Sequence, residues 1–133
     1  MSEKVVVIPC SGIGKTFGTV SREAAYAVVE DLRPDRTQLV ALSLLVLGDE
    51  EARAAVAGHP TITIDGCRLA CATKMVQESG LPVARSFTVL DAFRKHRDLK
   101  PEGISALNPE GQQLACALAK EIAEAIDALQ EEA

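Results

Sequence analysis

The chain has 133 residues, which fits one compact domain, and we expect residues 1–133 to form a single unit. Its net charge is −5 and aromatic residues make up only 3%, so neither a basic surface nor base-stacking rings are expected, and we predict no nucleic-acid partner. The longest apolar run, residues 39–47, is far shorter than the roughly 20 residues of a membrane span, and the N-terminus lacks the apolar region of a secretory signal. We therefore predict a cytoplasmic protein without membrane contact, in which clustered, reduced cysteines more often bind metal or do redox chemistry than form disulfides.

Apolar runs typical of strands alternate along the chain with stripes typical of helices. We predict four strands, at residues 4–8, 38–43, 61–65 and 83–90. We predict five helices, at residues 20–32, 49–58, 67–79, 91–98 and 109–131. The apolar face of the last helix should consist of Leu114, Leu118, Ile122, Ala125 and Leu129. This alternation predicts an α/β fold, a three-layer Rossmann-like sandwich with a roughly four-stranded, mainly parallel sheet and helices on both faces.

Three cysteines follow the predicted strands at the edge of the sheet where ligands bind in this class of fold. Cys10 ends the first strand, and Cys67 and Cys71 follow the third. Cys67 and Cys71 are four residues apart on a predicted helix, which separates their Cβ atoms by about 5–6 Å, whereas a disulfide requires about 3.8 Å. Zinc bonds to sulfur are about 2.3 Å long, and such a pair can reach one ion. The spacing therefore favours a metal over a disulfide.

The residues around Cys67 favour a thiolate. A cysteine in the first turn of a helix faces backbone N–H groups, which stabilise negative charge. Gly66 should allow a tight turn before the helix. Asp65 should either cap the helix or accept a hydrogen bond from a metal ligand.

The fourth metal ligand is open at this point, with water, Asp65, Cys116 and a substrate as candidates. Cys116 lies on the polar side of the last helix together with Lys120, which predicts a surface position. The histidines are poor substitutes, because His59 precedes the third strand, at the opposite end of the sheet, and His96 lies in a charged stretch.

The stretch SGIGKT, residues 11–16, partly resembles a phosphate-binding loop. Pro9 stands where that motif requires its first glycine, so nucleotide hydrolysis is not predicted. Either the stretch is a plain glycine-rich turn, or it binds a small anionic ligand beside the thiols. The residues that would bind such an anion are Ser11, Gly12, Gly14 and Lys15.

Two blocks, PCSGIGKTFGTVSREAAY and TITIDGCRLACA, together resemble the DGC-domain family over nearly the whole chain. The family consists of small bacterial and archaeal proteins that are described as zinc-binding, have no established activity and are named for a central Asp-Gly-Cys, here Asp65, Gly66 and Cys67. The resemblance implies that Cys10, Cys67 and Cys71 are metal ligands. Its four-cysteine pattern would add Cys116, which conflicts with the surface position predicted above.

The leading hypothesis is a protein that holds one zinc ion through these cysteine thiolates, either for function or only to fix two loops. One alternative is a thiol-based redox or sulfur-transfer enzyme in which Cys67 is the nucleophile and Cys71 or Cys10 resolves it. Another is an iron–sulfur or metal-delivery protein, because thiolates also suit soft metals. The sequence does not predict a substrate, a protein partner or an oligomeric state.

Overall fold

A four-stranded parallel sheet organises the molecule in a computed structural model, which describes residues 4–10, 15–66, 71–104 and 106–132. The strands are β1, Val5–Pro9; β2, Thr37–Leu39; β3, Thr61–Asp65; and β4, Arg85–Thr88. They lie in the order β2-β1-β3-β4, and each neighbouring pair is parallel. The predicted sheet of about four mainly parallel strands is confirmed.

Six α-helices connect and flank the strands within the described ranges. They are α1, Thr16–Tyr26; α2, Leu42–Val46; α3, Glu50–Gly58; α4, Cys71–Glu78; α5, Val89–Lys95; and α6, Pro109–Glu132. A π-helical segment, Ala27–Leu32, continues α1 without a break. No helix in the part of the chain that the structure describes has the length and apolar character needed to cross a membrane.

The helices lie on both faces of the sheet, which confirms the three-layer sandwich. Successive side chains of a strand point to opposite faces. Accordingly, Val5 and Val7 join the apolar cluster formed with α1, α5 and α6, whereas Val6 and Ile8 join the cluster formed with α2, α3 and α4. β1 is central, and its first four residues are completely buried, as expected of a parallel strand that is covered on both faces.

The second and fourth strands are shorter than predicted because helices begin earlier. We predicted a strand at residues 38–43, but β2 ends at Leu39 and α2 begins at Leu42. The buried residues of α2 are Leu42 and Leu45, a spacing of three that suits a helix. The predicted strand at residues 83–90 ends at Thr88, whose side chain caps α5 by accepting a hydrogen bond from the Asp91 N–H.

The first and last helices also differ in detail from the prediction. α1 begins at Thr16 rather than at residue 20, so the predicted loop is shorter. In α6, the predicted apolar face is buried at Leu114, Leu118, Ile122 and Leu129. Ala125 is only half buried, because the 3.6-residue period brings Ile126 fully into the core instead. The first four residues of the predicted helix at 67–79 lie outside the described residues.

Candidate functional site

The candidate site lies where the strand order of the sheet reverses. The chain runs from β1 outward to β2 on one side, and from β3 outward to β4 on the other, so the reversal falls between β1 and β3. Ligands of open α/β sheets bind beyond the carboxyl ends of the strands at this point. Here the two strand ends are joined, because the Cys10 N–H donates a hydrogen bond of 2.8 Å to the Ile64 carbonyl.

The Cys10 sulfur is buried between these two strand ends, with 7% of the residue exposed. It accepts a hydrogen bond from the Gly66 N–H at 3.2 Å and lies 3.4 Å from the Ser21 hydroxyl oxygen. Ser21 also donates to the Gly18 carbonyl at 2.6 Å, so the Cys10 S–H can in turn donate to the Ser21 oxygen. A backbone N–H that points at sulfur is a stronger partner for a thiolate than for a neutral thiol.

Gly66 occupies a position where a side chain does not fit. A Cβ atom there would lie 3.0 Å from the backbone nitrogen of Gly18 and 3.0 Å from the carbonyl carbon of Phe17, both in the first turn of α1. Gly66 does not adopt a positive φ. The tight turn that we expected is therefore not what requires glycine here; the close approach of α1 requires it.

The Asp65 side chain fixes the start of α4. The carboxylate is fully buried and accepts hydrogen bonds from the Ala72 N–H at 2.7 Å and from the Thr73 hydroxyl at 2.6 Å. Thr63 lies 2.6 Å from the same Thr73 hydroxyl. Because both carboxylate oxygens of Asp65 already accept a bond, the first turn of α4 is anchored to β3.

Cys71 is the first residue of α4 and is exposed. The next residue, Ala72, is bonded to Asp65 and belongs to the same apolar cluster as Cys10. Asp65 thus brings the start of α4 to the same end of the sheet as Cys10. Cys67 lies outside the described residues.

Cys116 and Cys10 belong to different layers of the molecule. Cys116 is exposed on α6, as its place on the polar side of the helix predicted. α6 packs with α1 and α5 on one face of the sheet, while Cys10 belongs to the cluster on the other face. His59 follows α3 and precedes β3 at its amino end, opposite the candidate site, as predicted.

The predicted anion-binding residues are only partly described. Lys15 is exposed at the N-cap of α1, and its carbonyl accepts a hydrogen bond from the Thr19 N–H. Ser11, Gly12 and Gly14 lie outside the described residues. Whether this segment binds an anion stays a prediction.

The described thiols are ligands of the type that soft metals prefer, although the described residues do not form a complete metal site. No group of three or more His, Cys, Asp or Glu side chains that could hold a metal ion occurs among the described residues, which do not include Cys67. The thiols that are described at this end of the sheet belong to Cys10 and Cys71. Thiolates select zinc, copper(I) and iron–sulfur clusters over magnesium or calcium.

Two residues near the candidate site, Ser21 and Thr73, were not predicted from the sequence. Ser21 contacts the Cys10 sulfur from α1, in a stretch that we assigned to a helix without a functional role. Thr73 joins β3 to α4 through Asp65 and Thr63. A signal for this pair was present, because the alternation in TITID places Thr63 and Asp65 on one face of a buried strand, where polar groups need hydrogen-bond partners.

The sheet order and the buried thiol at its reversal point define an α/β protein with a candidate cysteine site at the carboxyl edge of a parallel sheet. The chain matches the family model of the DGC domain over residues 6–128, nearly its whole length. It belongs to the DGC domain family, as the resemblance of its two cysteine-containing blocks implied. A search of curated proteins gave no significant match, and neither did a search of solved structures.

Proposed function

We propose that this protein binds one thiophilic metal ion, zinc in the first instance, through the thiolates of Cys10, Cys67 and Cys71. One observation carries the proposal: the buried Cys10 sulfur accepts a hydrogen bond from the N–H of Gly66, the residue that precedes Cys67. This contact joins the two cysteine-bearing segments at the point of the sheet where ligands bind. Membership of the DGC domain family supports the same assignment.

The surroundings of Cys10 suit a sulfur that carries negative charge. A buried thiolate is costly unless a cation or hydrogen-bond donors compensate its charge. The Gly66 N–H is one such donor, and the Ser21 hydroxyl is a second when it turns away from Gly18. A metal ion, when bound, would supply the compensating charge and either link the two loops or act as a Lewis acid at an open position.

We expect the fourth position to be taken by water or by a small ligand. Asp65 is a poor candidate, because both of its oxygens hold the start of α4. Cys116 is a poor candidate because it is exposed on a helix of the opposite layer. A position left to solvent is the feature that separates catalytic from purely structural zinc sites.

Metal analysis of protein purified without an affinity tag tests the proposal. We expect about one zinc per chain, and each of the variants C10S, C67S and C71S should lose it, since three thiolates bind far more strongly than two. C116S is the matched control and should retain the metal. A content below about 0.2 metal per chain, with all three thiols reactive, would refute the proposal.

The same preparation distinguishes the other two hypotheses. A thiol redox or sulfur-transfer enzyme would contain no metal and would form a reversible disulfide among Cys10, Cys67 and Cys71. An iron–sulfur protein would be coloured after anaerobic purification and would contain iron rather than zinc.

A further inference from the structure

A small cleft opens beside Cys10 at the carboxyl ends of β1 and β2. Its volume is about 130 Å³. Leu39 and Leu42 form part of an apolar wall. Cys10, which follows β1, and Arg22 of α1 also line the cleft, together with Tyr26 and Ser43. The cleft is on the β2 side of Cys10, whereas Gly66 and α4 are on the β3 side.

The size of the cleft restricts what it can hold. A water molecule takes about 30 Å³ in the liquid, so the cleft accommodates about four water-sized groups. Sites for drug-sized ligands and cofactors have volumes of about 300–1,000 Å³. The cleft therefore suits a molecule of about four to six non-hydrogen atoms and is too small for a nucleotide.

The charge of the lining restricts the ligand further. Arg22 is the single charged residue among the described residues that line the cleft. Its guanidinium group donates to the Thr19 hydroxyl at 3.1 Å, and that hydroxyl donates to the Ile104 carbonyl at 2.5 Å. The cation is thus fixed in place by its neighbours, which lowers the entropic cost of binding an anion.

We propose that this cleft binds a small monocarboxylate with a short apolar chain, such as a three- or four-carbon acid. The carboxylate pairs with Arg22, because a guanidinium matches the planar geometry of a carboxylate. The apolar chain of the ligand packs against Leu39 and Leu42, next to Cys10. This site adjoins the proposed metal site at Cys10, but it uses Arg22 rather than the thiolates, so its existence does not depend on whether a metal binds.

Titration of the full-length protein with butyrate, followed by ¹H–¹⁵N NMR, tests the proposal. We expect saturable shifts at amides that line the cleft. Butyramide, which has the same shape without the charge, should bind at least about tenfold more weakly, and R22Q should weaken butyrate binding by about the same factor. R53Q is the matched control, since Arg53 lies on α3, bonds the Ser79 carbonyl and does not line the cleft; it should change the Kd less than about twofold.

The ligand comparison keeps the proposal testable even if R22Q fails to fold. Shifts that rise linearly with butyrate, without saturation, would overturn it. Equal binding of butyramide and butyrate would also overturn it, as would inorganic phosphate binding as tightly as butyrate, because phosphate makes no use of the apolar wall. A loss of affinity in R53Q equal to that in R22Q would show that only net charge matters, which contradicts the proposal.

Discussion

The N–H of Gly66 donates a hydrogen bond to the sulfur of Cys10, two residues that are 56 positions apart in the sequence. The bond closes the gap between the ends of β1 and β3 where the strand order reverses. α1 packs directly on Gly66, so α1 and the ends of β1 and β3 all meet at the hydrogen bond between the Gly66 nitrogen and the Cys10 sulfur. The position of the Cys10 sulfur therefore depends on close packing around a glycine as much as on the cysteine itself.

Replacing Gly66 with alanine should destabilise the protein by about 1–3 kcal/mol, because the new Cβ would lie about 3.0 Å from rigid backbone atoms of α1. Urea unfolding followed by circular dichroism measures this change. Gly58 is the matched control: it lies in α3, and nothing is within 4 Å of a Cβ built there. G58A should be neutral or stabilise by up to about 1 kcal/mol, and an equal loss in both variants would contradict the packing argument.

The variant D65A should cost about 2–4 kcal/mol, since it leaves the buried Ala72 N–H without its acceptor and removes one of the two partners of the Thr73 hydroxyl. Asp49 provides the comparison, because it caps α3 by accepting from the Ala52 N–H but is exposed to solvent. D49A should cost only about 1 kcal/mol, because water can replace the lost bond. Equal losses in the two variants, measured by urea unfolding, would mean that burial adds nothing to the Asp65 cap.

The described cysteines should differ in reactivity in metal-free protein. Cys71 and Cys116 are exposed and should react rapidly with a thiol reagent, whereas Cys10 should react at least about tenfold more slowly, because its sulfur becomes accessible only when the structure opens. Mass spectrometry of the labelled peptides follows each site separately. In guanidinium chloride the three rates should become similar, and a fast Cys10 in native protein would contradict its burial.

The pairing of Asp127 with two arginines predicts an acid-dependent stability. Asp127 receives two hydrogen bonds from Arg33, at 2.9 and 2.7 Å, and also pairs with Arg36, which joins α6 to the end of the π-helical segment. The hydrogen bonds from Arg33 are the main reason that the pKa of Asp127 is lowered. A lowered pKa in the folded state stabilises the protein above the unfolded value of about 3.9, and this contribution is lost as the pH falls through the folded pKa.

We therefore expect D127N to be less stable than wild type at pH 7 and the difference to shrink below about pH 4. The side chain of Asp127 is 37% exposed, so solvent screening limits the difference to about 1 kcal/mol. Thermal unfolding as a function of pH measures it. E121Q, which removes an exposed pair with Lys95, should change stability by less than about 0.5 kcal/mol, and a D127N effect that is constant down to pH 2 would exclude the ion pair as its cause.

The sequence was sufficient to predict the sheet, because buried parallel strands have a simple signature. The runs VVVI and TITI are rich in β-branched residues, and the strands that contain them lie within a residue of the predicted positions. The short edge strand β2 was harder to predict, since its apolar residues continue directly into α2 and periodicity alone does not mark the boundary. The start of α1 was missed because a glycine-rich stretch resembles a loop until tertiary packing is known.

The candidate site could be predicted from the sequence in part. Because the carboxyl ends of parallel strands meet at one edge of the sheet, the Cys10 and Asp65–Gly66 segments were expected to lie close together. The residue type of Asp65 indicated that it could cap a helix. The contact of Ser21 with Cys10 could not be predicted, because it depends on how α1 packs across the ends of the strands. Likewise, nothing local marks Gly66 as a point of close approach rather than a flexible turn.

The central place of β1 has a consequence for how the protein is made. β1 is synthesised before its partner β3, Thr61–Asp65, which follows more than 50 residues later. The Gly66 segment that follows β3 covers the Cys10 sulfur in the folded protein, so a mixed disulfide formed before β3 docks would block closure of the strand ends. A reductant that is present throughout refolding should therefore raise the yield of folded protein with a reduced Cys10 thiol. The same reductant should raise this yield less when it is added once the chain has folded.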